Sequence, residues 1–277
     1  MKRTTRREQR RVAGLEDFAI ERALTEYSAR YPALKLPPVV ALICAYEEGD
    51  NIGDVLKAVP ADACGLEVAS LVIVDGGRDG TAQVALDSGA NTCVFPTNLG
   101  QGVALQVGYR LCIGGGARYV VTLDADGQND PTELAVMLEP LVDGSADFVV
   151  ASRRLGIDET SDRVRRAGVV VFAWVMNLLT GSNLSDTSNG YRALSTELLA
   201  DVVDRLEQRQ YQTAELLITA ISRGWRVTER PMVWRPRASG TSKKGSNLFF
   251  GFRYANVVVQ TWIRERRGRI AQRAASS

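Results

Sequence analysis

Short apolar segments alternate with segments of helical period through the first half of the chain, and this alternation restricts the fold more than any other feature. Five apolar, strand-like segments lie at residues 39–45, 69–75, 90–95, 118–124 and 146–152. Between them, amphipathic segments end in glycine or begin at proline, as helices do. Strands and helices in this order predict a parallel, doubly wound sheet flanked by helices.

From about residue 157 the alternation stops, and the sequence predicts a mainly helical second half. The helical segments are 161–181, 195–206, 213–223 and 247–263. We therefore expect a basic arm and helix over 1–36, an α/β domain over 37–245, and an amphipathic C-terminal helix with a basic tail over 246–277.

Positive charge is concentrated at the two ends of the chain, although the net charge of the 277 residues is only +2. Six of residues 1–11 are basic, five of residues 264–277 are basic, and each end contains one acid. Such ends can bind an anionic membrane surface, and solvated, frayed termini are the alternative. The aromatic helix 247–263 has the composition of an interfacial helix, and its alternative is docking on the body or on the second copy of a homodimer. No nucleic-acid partner is expected.

The residues that the sequence lacks exclude several kinds of site. There is no histidine, so Ser/His nucleophiles and histidine metal centres are excluded, and carboxylates with oxygen-preferring cations remain. The four cysteines have no CxxC spacing, and three of them lie in apolar segments typical of strands or helices, which favours buried free thiols in a reducing cytosol. No apolar h-region follows the basic N-terminus, and the apolar stretch 168–181 is too short to span a bilayer. We expect a cytoplasmic protein, soluble or peripheral at the inner face of the membrane.

Acidic residues lie where three of the predicted strands end. Glu48 follows the first strand, Asp75 ends the second, and Asp124 and Asp126 lie at the end of the fourth. The carboxyl ends of parallel strands meet at one edge of a sheet, where doubly wound proteins bind ligands. Carboxylates gathered there repel one another unless a cation or a hydrogen-bonding ligand is present. Mg²⁺ or Mn²⁺ prefers oxygen ligands and usually bridges to substrate phosphates, so the sequence predicts a metal-dependent nucleotide diphosphate site.

Seven short motifs occur in order between about residues 38 and 245. They are CAYEEGDNI, VIVDGGRDGT, NLGQGVALQVGY, LDADGQNDP, ASRR, DTSNGYRAL and ERPMVWRPRASGTSK. This series resembles the motifs of inverting glycosyltransferases of the GT-A fold, family 2, and is most similar to dolichol- or polyprenol-phosphate mannose synthases. The resemblance implies a GT-A α/β fold: a doubly wound, mostly parallel sheet flanked by helices, with a helical C-terminal half on the acceptor side.

The resemblance also implies which residues bind the nucleotide-sugar. They are Ala45, Tyr46, Glu48, Asp75, Asp124, Ala125, Asp126, Gln128, Arg237 and Lys243. Among them, Asp124, Asp126 and Gln128 would hold Mg²⁺ or Mn²⁺ and, through it, both phosphates. The metal would stabilise the departing nucleoside diphosphate.

The implied reaction is metal-dependent transfer, with inversion, of mannose or glucose from a donor such as GDP-mannose to a polyprenyl phosphate. Arg153, Arg237 and Lys243 would contact the diphosphate or the acceptor phosphate. The residues expected to be catalytic are Asp126, Arg153 and Asp186. An ionised phosphate can attack without a base, whereas a sugar or glycolipid hydroxyl, the alternative acceptor, would need a carboxylate such as Asp186 or Glu215.

The sequence departs from the family pattern at several motif positions. Cys44 replaces a proline, Gln101 replaces a lysine, and Asp75 is followed by Gly76 with one residue missing before Asp79. One acid expected to recognise the base is thus lost or displaced, which leaves the choice between GDP- and UDP-sugars open. An inactive GT-A module that binds nucleotide or a partner is the alternative of another class, and the intact DADGQ motif argues against it.

Overall fold

The computed structural model of the chain describes residues 6–160, 162–237 and 247–275. The strands are β1 (Val39–Ala45), β2 (Asp62–Ala63), β3 (Leu66–Val74), β4 (Asn91–Val94), β5 (Tyr119–Asp124), β6 (Phe148–Asp158), β7 (Arg192–Ser195) and β8 (Val227–Trp234). The α-helices are α1 (Arg6–Arg30), α2 (Ile52–Ala58), α3 (Thr81–Asp87), α4 (Gln101–Gly114), α5 (Leu134–Val142), α6 (Arg163–Thr180), α7 (Thr196–Val202), α8 (Gln212–Ser222) and α9 (Asn247–Ala275).

The strands form one mixed sheet in the order β4-β3-β1-β5-β7-β6-β8, with the short β2 paired to the start of β3. Strands β4, β3, β1 and β5 are parallel, whereas β7 is antiparallel to both β5 and β6. Strand β8 is parallel to β6 and follows it to Asp158. The predicted α/β fold with a mostly parallel, doubly wound sheet is therefore confirmed.

Strand β1 shows how the apolar segments produce a core on both faces of the sheet. Its residues from Val39 to Ile43 are fully buried. Side chains alternate between the two faces of a strand, so Val40 and Leu42 belong to one hydrophobic cluster and Val39, Ala41 and Ile43 to the other. A strand buried on both sides is apolar at every position, as this segment is.

Two elements differ from the sequence-based expectation. Strand β7 was not predicted, because its four residues lie between the polar turn of the DTSNGYR motif and helix α7 and are too few to show a period. In α1 the apolar residues at helical spacing are Leu15, Phe18, Ala19, Leu24 and Tyr27. Leu15 and Phe18 are nevertheless exposed, and the helix packs towards β4 through Ala19 and Ala23. Small side chains allow that close approach. Among the cysteines, Cys64 is exposed rather than buried.

The C-terminal helix α9 is docked on the body of the protein. It packs against α8 and α6, with Tyr254 and Val258 buried in the same cluster as the central helices. The indole nitrogen of Trp262 donates a hydrogen bond to the carbonyl of Leu179 in α6 (2.6 Å). The sequence allowed either an interfacial helix or a helix docked on the body. From Tyr254 onward, the helix is docked on the body. Within the described residues, no helix is both long and apolar enough to cross a membrane.

Candidate active site

Three of the acidic positions singled out in the sequence converge at the carboxyl edge of the sheet. Strand β1 lies between β3 and β5, and the pairing sets Ala45 beside Val74 and Cys44 beside Asp124. The next residue after β3 is Asp75, whose N–H donates to the carbonyl of Ala45 (2.8 Å). The acids converge because the three strands are parallel neighbours and end at the same level of the sheet.

Glu48 belongs to a hydrogen-bonded network that joins the segments after β1 and β3. The Glu48 carboxylate is buried and accepts from the side chain of Asn51 (2.9 Å). Its backbone N–H donates to the Thr81 hydroxyl (2.9 Å), which donates to Asp79 (2.6 Å). Burial acts to raise the pKa of Asp79, but hydrogen bonds from Thr81 and Gly49 outweigh it and lower the pKa. The network fixes Glu48 at the edge of the crevice.

Asp75 organises the segment that leads into α4. Its two carboxylate oxygens accept from the N–H groups of Leu99 (2.6 Å) and Gly100 (2.9 Å). Burial raises the pKa of Asp75 to about 6, although these two hydrogen bonds oppose the shift. The residue after it, Gly76, has φ of 75°, and a Cβ there would lie 2.6 Å from the backbone of Asn98. Glycine at position 76 thus lets the shortened loop close against residues 97–98.

The DADGQ segment forms a tight turn after β5. The Asp124 N–H donates to Asn129 (3.0 Å), and its carboxylate makes no hydrogen bond with another described residue. Ala125 is buried, and Asp126 accepts from the N–H of Gln128 (3.1 Å). The Gln128 side-chain amide donates to the carbonyl of Arg235 (3.1 Å), which leaves its oxygen as an acceptor.

The guanidinium of Arg237 lies between the two halves of this crevice. One nitrogen is 3.0 Å from an oxygen of Asp126, and the other pairs with Glu48. Arginine therefore provides the positive charge that two neighbouring carboxylates require. Lys243, also expected here, lies outside the described residues. Tyr46 is half-buried at the end of β1.

The residues predicted to hold a metal fit Mg²⁺ or Mn²⁺ in one particular way. Among the described residues no group of three or more acidic, cysteine or histidine side chains is placed to hold an ion. Asp124 and Asp126 offer carboxylate oxygens, and Gln128 an amide oxygen. Mg²⁺ is usually held by one or two carboxylates together with water and substrate phosphates. The donor set thus suits an ion that binds together with a diphosphate.

Arg153 and Asp186 form a buried ion pair at the end of the first half of β6. The Arg153 Nε and Nη2 donate to the two oxygens of Asp186 at 2.6 and 2.8 Å. Nη2 also donates to the Ser188 hydroxyl (2.7 Å), and the guanidinium lies 5.1 Å from the ring of Trp234. Burial acts to lower the pKa of Arg153, but the interaction with Asp186 outweighs it and raises the pKa.

Comparison with known proteins identifies the fold and the family of this site. The family model described as glycosyl transferase family 2 matches residues 40–229, which is more than half of the chain. The chain belongs to glycosyl transferase family 2. The matched range includes Glu48, Asp75, Asp124, Asp126, Gln128, Arg153 and Asp186, and Arg237 lies beyond it.

Relatives of this family 2 glycosyltransferase include two proteins named for lipid-phosphate acceptors. A dolichyl-phosphate hexose transferase of Haloferax volcanii is 33% identical over 196 residues, covering 71% of this chain and 82% of that protein. A polyprenol monophosphomannose synthase of Mycolicibacterium smegmatis is 29% identical over 249 residues, covering 80% and 86%. The GT-A fold is confirmed by glucosyl-3-phosphoglycerate synthase of Mycobacterium tuberculosis, solved with Mn²⁺ and UDP. Its TM-score is 0.64 at 18% identity, with 83% of this chain and 80% of that chain covered.

Glu215 of the glycosyltransferase, one of the two carboxylates considered as a base, holds a loop in place. It is fully buried in α8 and accepts from the N–H groups of Glu207 (3.0 Å) and Gln208 (2.9 Å). Arg264 of α9 pairs with it at 2.8 Å. The loop that it holds packs on the start of α4, where the Gly102 N–H donates to the carbonyl of Arg209 (2.8 Å).

Two residues that position the site of the transferase were missed in the sequence. Glu229 of β8 accepts from the N–H groups of Ser185 (2.7 Å) and Asp186 (2.8 Å) and so orients the Asp186 turn. Arg192 is fully buried and donates to the carbonyls of Asn189 (2.7 Å) and Thr187 (3.0 Å), and burial lowers its pKa. Both belong to quoted motifs, so their place in the motifs was the available signal.

Proposed function

We propose that this family 2 glycosyltransferase transfers a hexose from a nucleotide-diphosphate sugar to a polyprenyl phosphate, with inversion and with Mg²⁺ or Mn²⁺. The observation behind the proposal is the crevice at the carboxyl edge, where Glu48 and Asp126 share the Arg237 guanidinium beside the free carboxylate of Asp124. Relatives named for dolichyl and polyprenol phosphates support the acceptor class.

On the donor side, Glu48 and Asp75 would accept hydrogen bonds from the nucleoside. Asp124, Asp126 and Gln128 would hold the metal, which as a Lewis acid supplies stabilisation of the charge that develops on the leaving diphosphate. The Arg237 guanidinium would exchange its carboxylate partners for diphosphate oxygens, to which its two parallel N–H groups are suited.

On the acceptor side, an oxygen of the lipid phosphate would attack C1 of the sugar as the bond from C1 to the diphosphate oxygen breaks. The attacking oxygen is already ionised near neutral pH, so no proton has to be removed. The two carboxylates that could serve a hydroxyl acceptor are both fully buried and occupied, Asp186 by Arg153 and Glu215 by backbone N–H groups and Arg264. Their occupation supports a phosphate rather than a hydroxyl acceptor.

The test is a transfer assay with labelled GDP-mannose, GDP-glucose, UDP-glucose and UDP-N-acetylglucosamine, each with and without Mn²⁺. We expect one donor to give a metal-dependent, lipid-extractable product whose anomeric configuration is inverted. Asp126→Asn should abolish the product. Asp130→Asn is the matched control, because Asp130 lies in the same turn but pairs with Arg235 (2.6 Å) rather than with the crevice.

Two results would contradict the proposal. Transfer to a sugar hydroxyl, with none to polyprenyl phosphate, would overturn the acceptor class. Calorimetric titrations in which folded protein binds no nucleoside diphosphate, with or without Mn²⁺, would instead support a module without catalytic function.

A further inference from the structure

Helix α6 exposes an apolar face to solvent. Val164, Val171, Trp174 and Leu178 recur at helical spacing, and Trp174 and Leu178 are 64% and 68% exposed. The opposite face packs on the body through residues such as Met176, which is fully buried. From position 167 to 180 the helix contains no charged residue. A helix that is apolar on all sides normally has both faces covered.

Two more exposed apolar residues lie at the end of strand β6, shortly before α6 in the chain. Leu155 and Ile157 are both more than half exposed, and they follow Arg153 by two and four residues. Seven of the thirteen large apolar side chains that are exposed in the described residues lie between Leu155 and Leu178. They are Leu155, Ile157, Val164, Val170, Val171, Trp174 and Leu178, and we call them the α6 face. Such a concentration marks an interaction surface, whereas single exposed apolar residues do not.

Exposed arginines lie near both ends of the α6 face. Arg154 lies between Arg153 and Leu155 at the end of β6, and Arg166 in the first turn of α6 pairs with Asp158 (3.2 Å). Helix α9 runs beside α6, since Tyr254 stacks near Phe172 (4.4 Å between ring centroids) and Trp262 reaches Leu179. The segment of α9 after Trp262 therefore lies beyond the end of α6. It contains the exposed Arg266 and Arg267, whereas Arg264 pairs with Glu215 of α8.

We propose that the α6 face docks on the surface of an anionic bilayer, with α6 lying in the plane of the interface. Apolar side chains on one side of a helix, with arginines beside them, suit insertion at the level of the headgroups. Trp174 has the amphipathic side chain that is enriched there. A second copy fits less well, because a two-fold pairing of antiparallel α6 helices would bring the exposed Arg154 of one copy towards Arg266 and Arg267 of the other.

Docking in this way deepens the proposed function and rests on it for the identity of the acceptor. The apolar face begins two residues after Arg153, so the end of β6 would lie at the bilayer surface. A polyprenyl phosphate, whose chain is dissolved in the bilayer, could then present its phosphate to the crevice without leaving the membrane.

The test is flotation of the full chain with vesicles of phosphatidylcholine, alone or mixed with phosphatidylglycerol. We expect the wild type to float with the anionic vesicles, and we expect the double variant Trp174→Glu, Leu178→Glu to partition at least about tenfold more weakly. The double variant Leu15→Glu, Phe18→Glu is the matched control, because it places the same charges on two apolar residues exposed on α1. Flotation of the α6 variant equal to that of the wild type would overturn the proposal, as would failure of the wild type to float.

Tryptophan fluorescence gives a second measurement that does not depend on affinity. Trp174 is exposed, whereas Trp234 is buried and Trp225 and Trp262 are half-buried. Brominated phosphatidylcholine should quench the wild type, and Trp174→Phe should lose most of the quenching while it still floats. Quenching that persists in Trp174→Phe would contradict docking through this face.

Two further measurements separate this proposal from its alternatives. Sedimentation of the wild type as a dimer that Trp174→Glu, Leu178→Glu converts to a monomer would assign the face to a second copy. A short-chain, water-soluble isoprenyl phosphate should be glycosylated equally by the wild type and the α6 variant. Loss of that reaction in the wild type would count against the proposed function, while docking is judged by flotation alone.

Discussion

The ion pair of Arg153 with Asp186 provides the sharpest test of how the site is held together. Asp186 is fully buried, and Arg153 is nearly so. Asp186→Ala removes both carboxylate oxygens and leaves the guanidinium with its hydrogen bond to the Ser188 hydroxyl and the nearby ring of Trp234. The carboxylates of Asp158 and Asp124 still act on it electrostatically. The charge cannot be lost by deprotonation, because an arginine side chain stays protonated in proteins, and Asp186, against the effect of burial, raises the pKa of Arg153 further.

Breaking a buried pair from one side typically costs about 3–5 kcal/mol of unfolding free energy. The contacts to Ser188 and Trp234 retain part of the stabilisation, so we expect about 3 kcal/mol for Asp186→Ala. Replacing both partners by apolar residues, Arg153→Met with Asp186→Leu, leaves no unpaired charge and should cost less than the single change.

Urea unfolding followed by circular dichroism measures the free energy of unfolding of the wild type, of Asp186→Ala and of the double variant. The slope of each transition with urea concentration should be the same for all three. Arg110 of α4 pairs with Asp204 at the surface (2.9 Å), and Asp204→Ala is a control for the loss of a solvent-exposed pair, expected to cost about 1 kcal/mol or less. A loss below about 1 kcal/mol for Asp186→Ala would show that the guanidinium finds solvent or another partner, and the positioning role would be refuted.

Three other changes test separate parts of the site. Arg237→Ala should strengthen Mn²⁺ binding several-fold in the absence of nucleotide, because the guanidinium no longer competes for Asp126. The same change should weaken the binding of nucleoside diphosphate. Calorimetry that finds both affinities unchanged would contradict this expectation. Burial raises the pKa of Asp75 to about 6, so the folded state holds a proton that the unfolded state releases near pH 4. The free energy of unfolding of the wild type, relative to that of Asp75→Asn, should therefore fall as pH rises from about 4 to 6. A difference that is flat over this range in urea titrations would refute the assignment. In Gly102→Ala the new Cβ would lie 2.1 Å from a carbonyl oxygen of the neighbouring loop, which should cost about 1–3 kcal/mol of unfolding free energy, measured by thermal denaturation. Gly14→Ala, which has open space around the new Cβ, should cost nothing in the same measurement.

The edge at which the acids meet could be predicted because it depends on local patterns. Each of the strands that precede Glu48, Asp75 and Asp124 is a continuous apolar run, and the helices between them force parallel pairing. Parallel strands of similar length end at the same edge, so the convergence required no knowledge of long-range contacts. Strand β7 shows the limit of the same reasoning, since four residues that join β5 to β6 have no recognisable period.

The partners of the arginines could not be predicted. Arg237 follows Glu48 by 189 residues and Asp126 by 111, and no pattern in the sequence says which of 34 basic residues meets a given acid. The same holds for Arg153 and Asp186, which are brought together by the insertion of β7 beside β6. Motif resemblance marked all these positions as functional, but it did not show that they pair with one another.

The hydrogen bonds and ion pairs of Asp186 and Glu215 bear on the identity of the acceptor more directly than on that of the donor. The chain contains no histidine, so a base for a hydroxyl acceptor would have to be a carboxylate with an oxygen open to the substrate. Asp186 and Glu215 have both oxygens engaged by buried donors, and the open carboxylate of Asp124 lies where a metal and diphosphate are proposed. A nucleophile that arrives already ionised needs none of these groups as a base. A phosphate at a bilayer surface would supply such a nucleophile, and both the occupied carboxylate of Asp186 and the exposed face of α6 accord with the proposed acceptor.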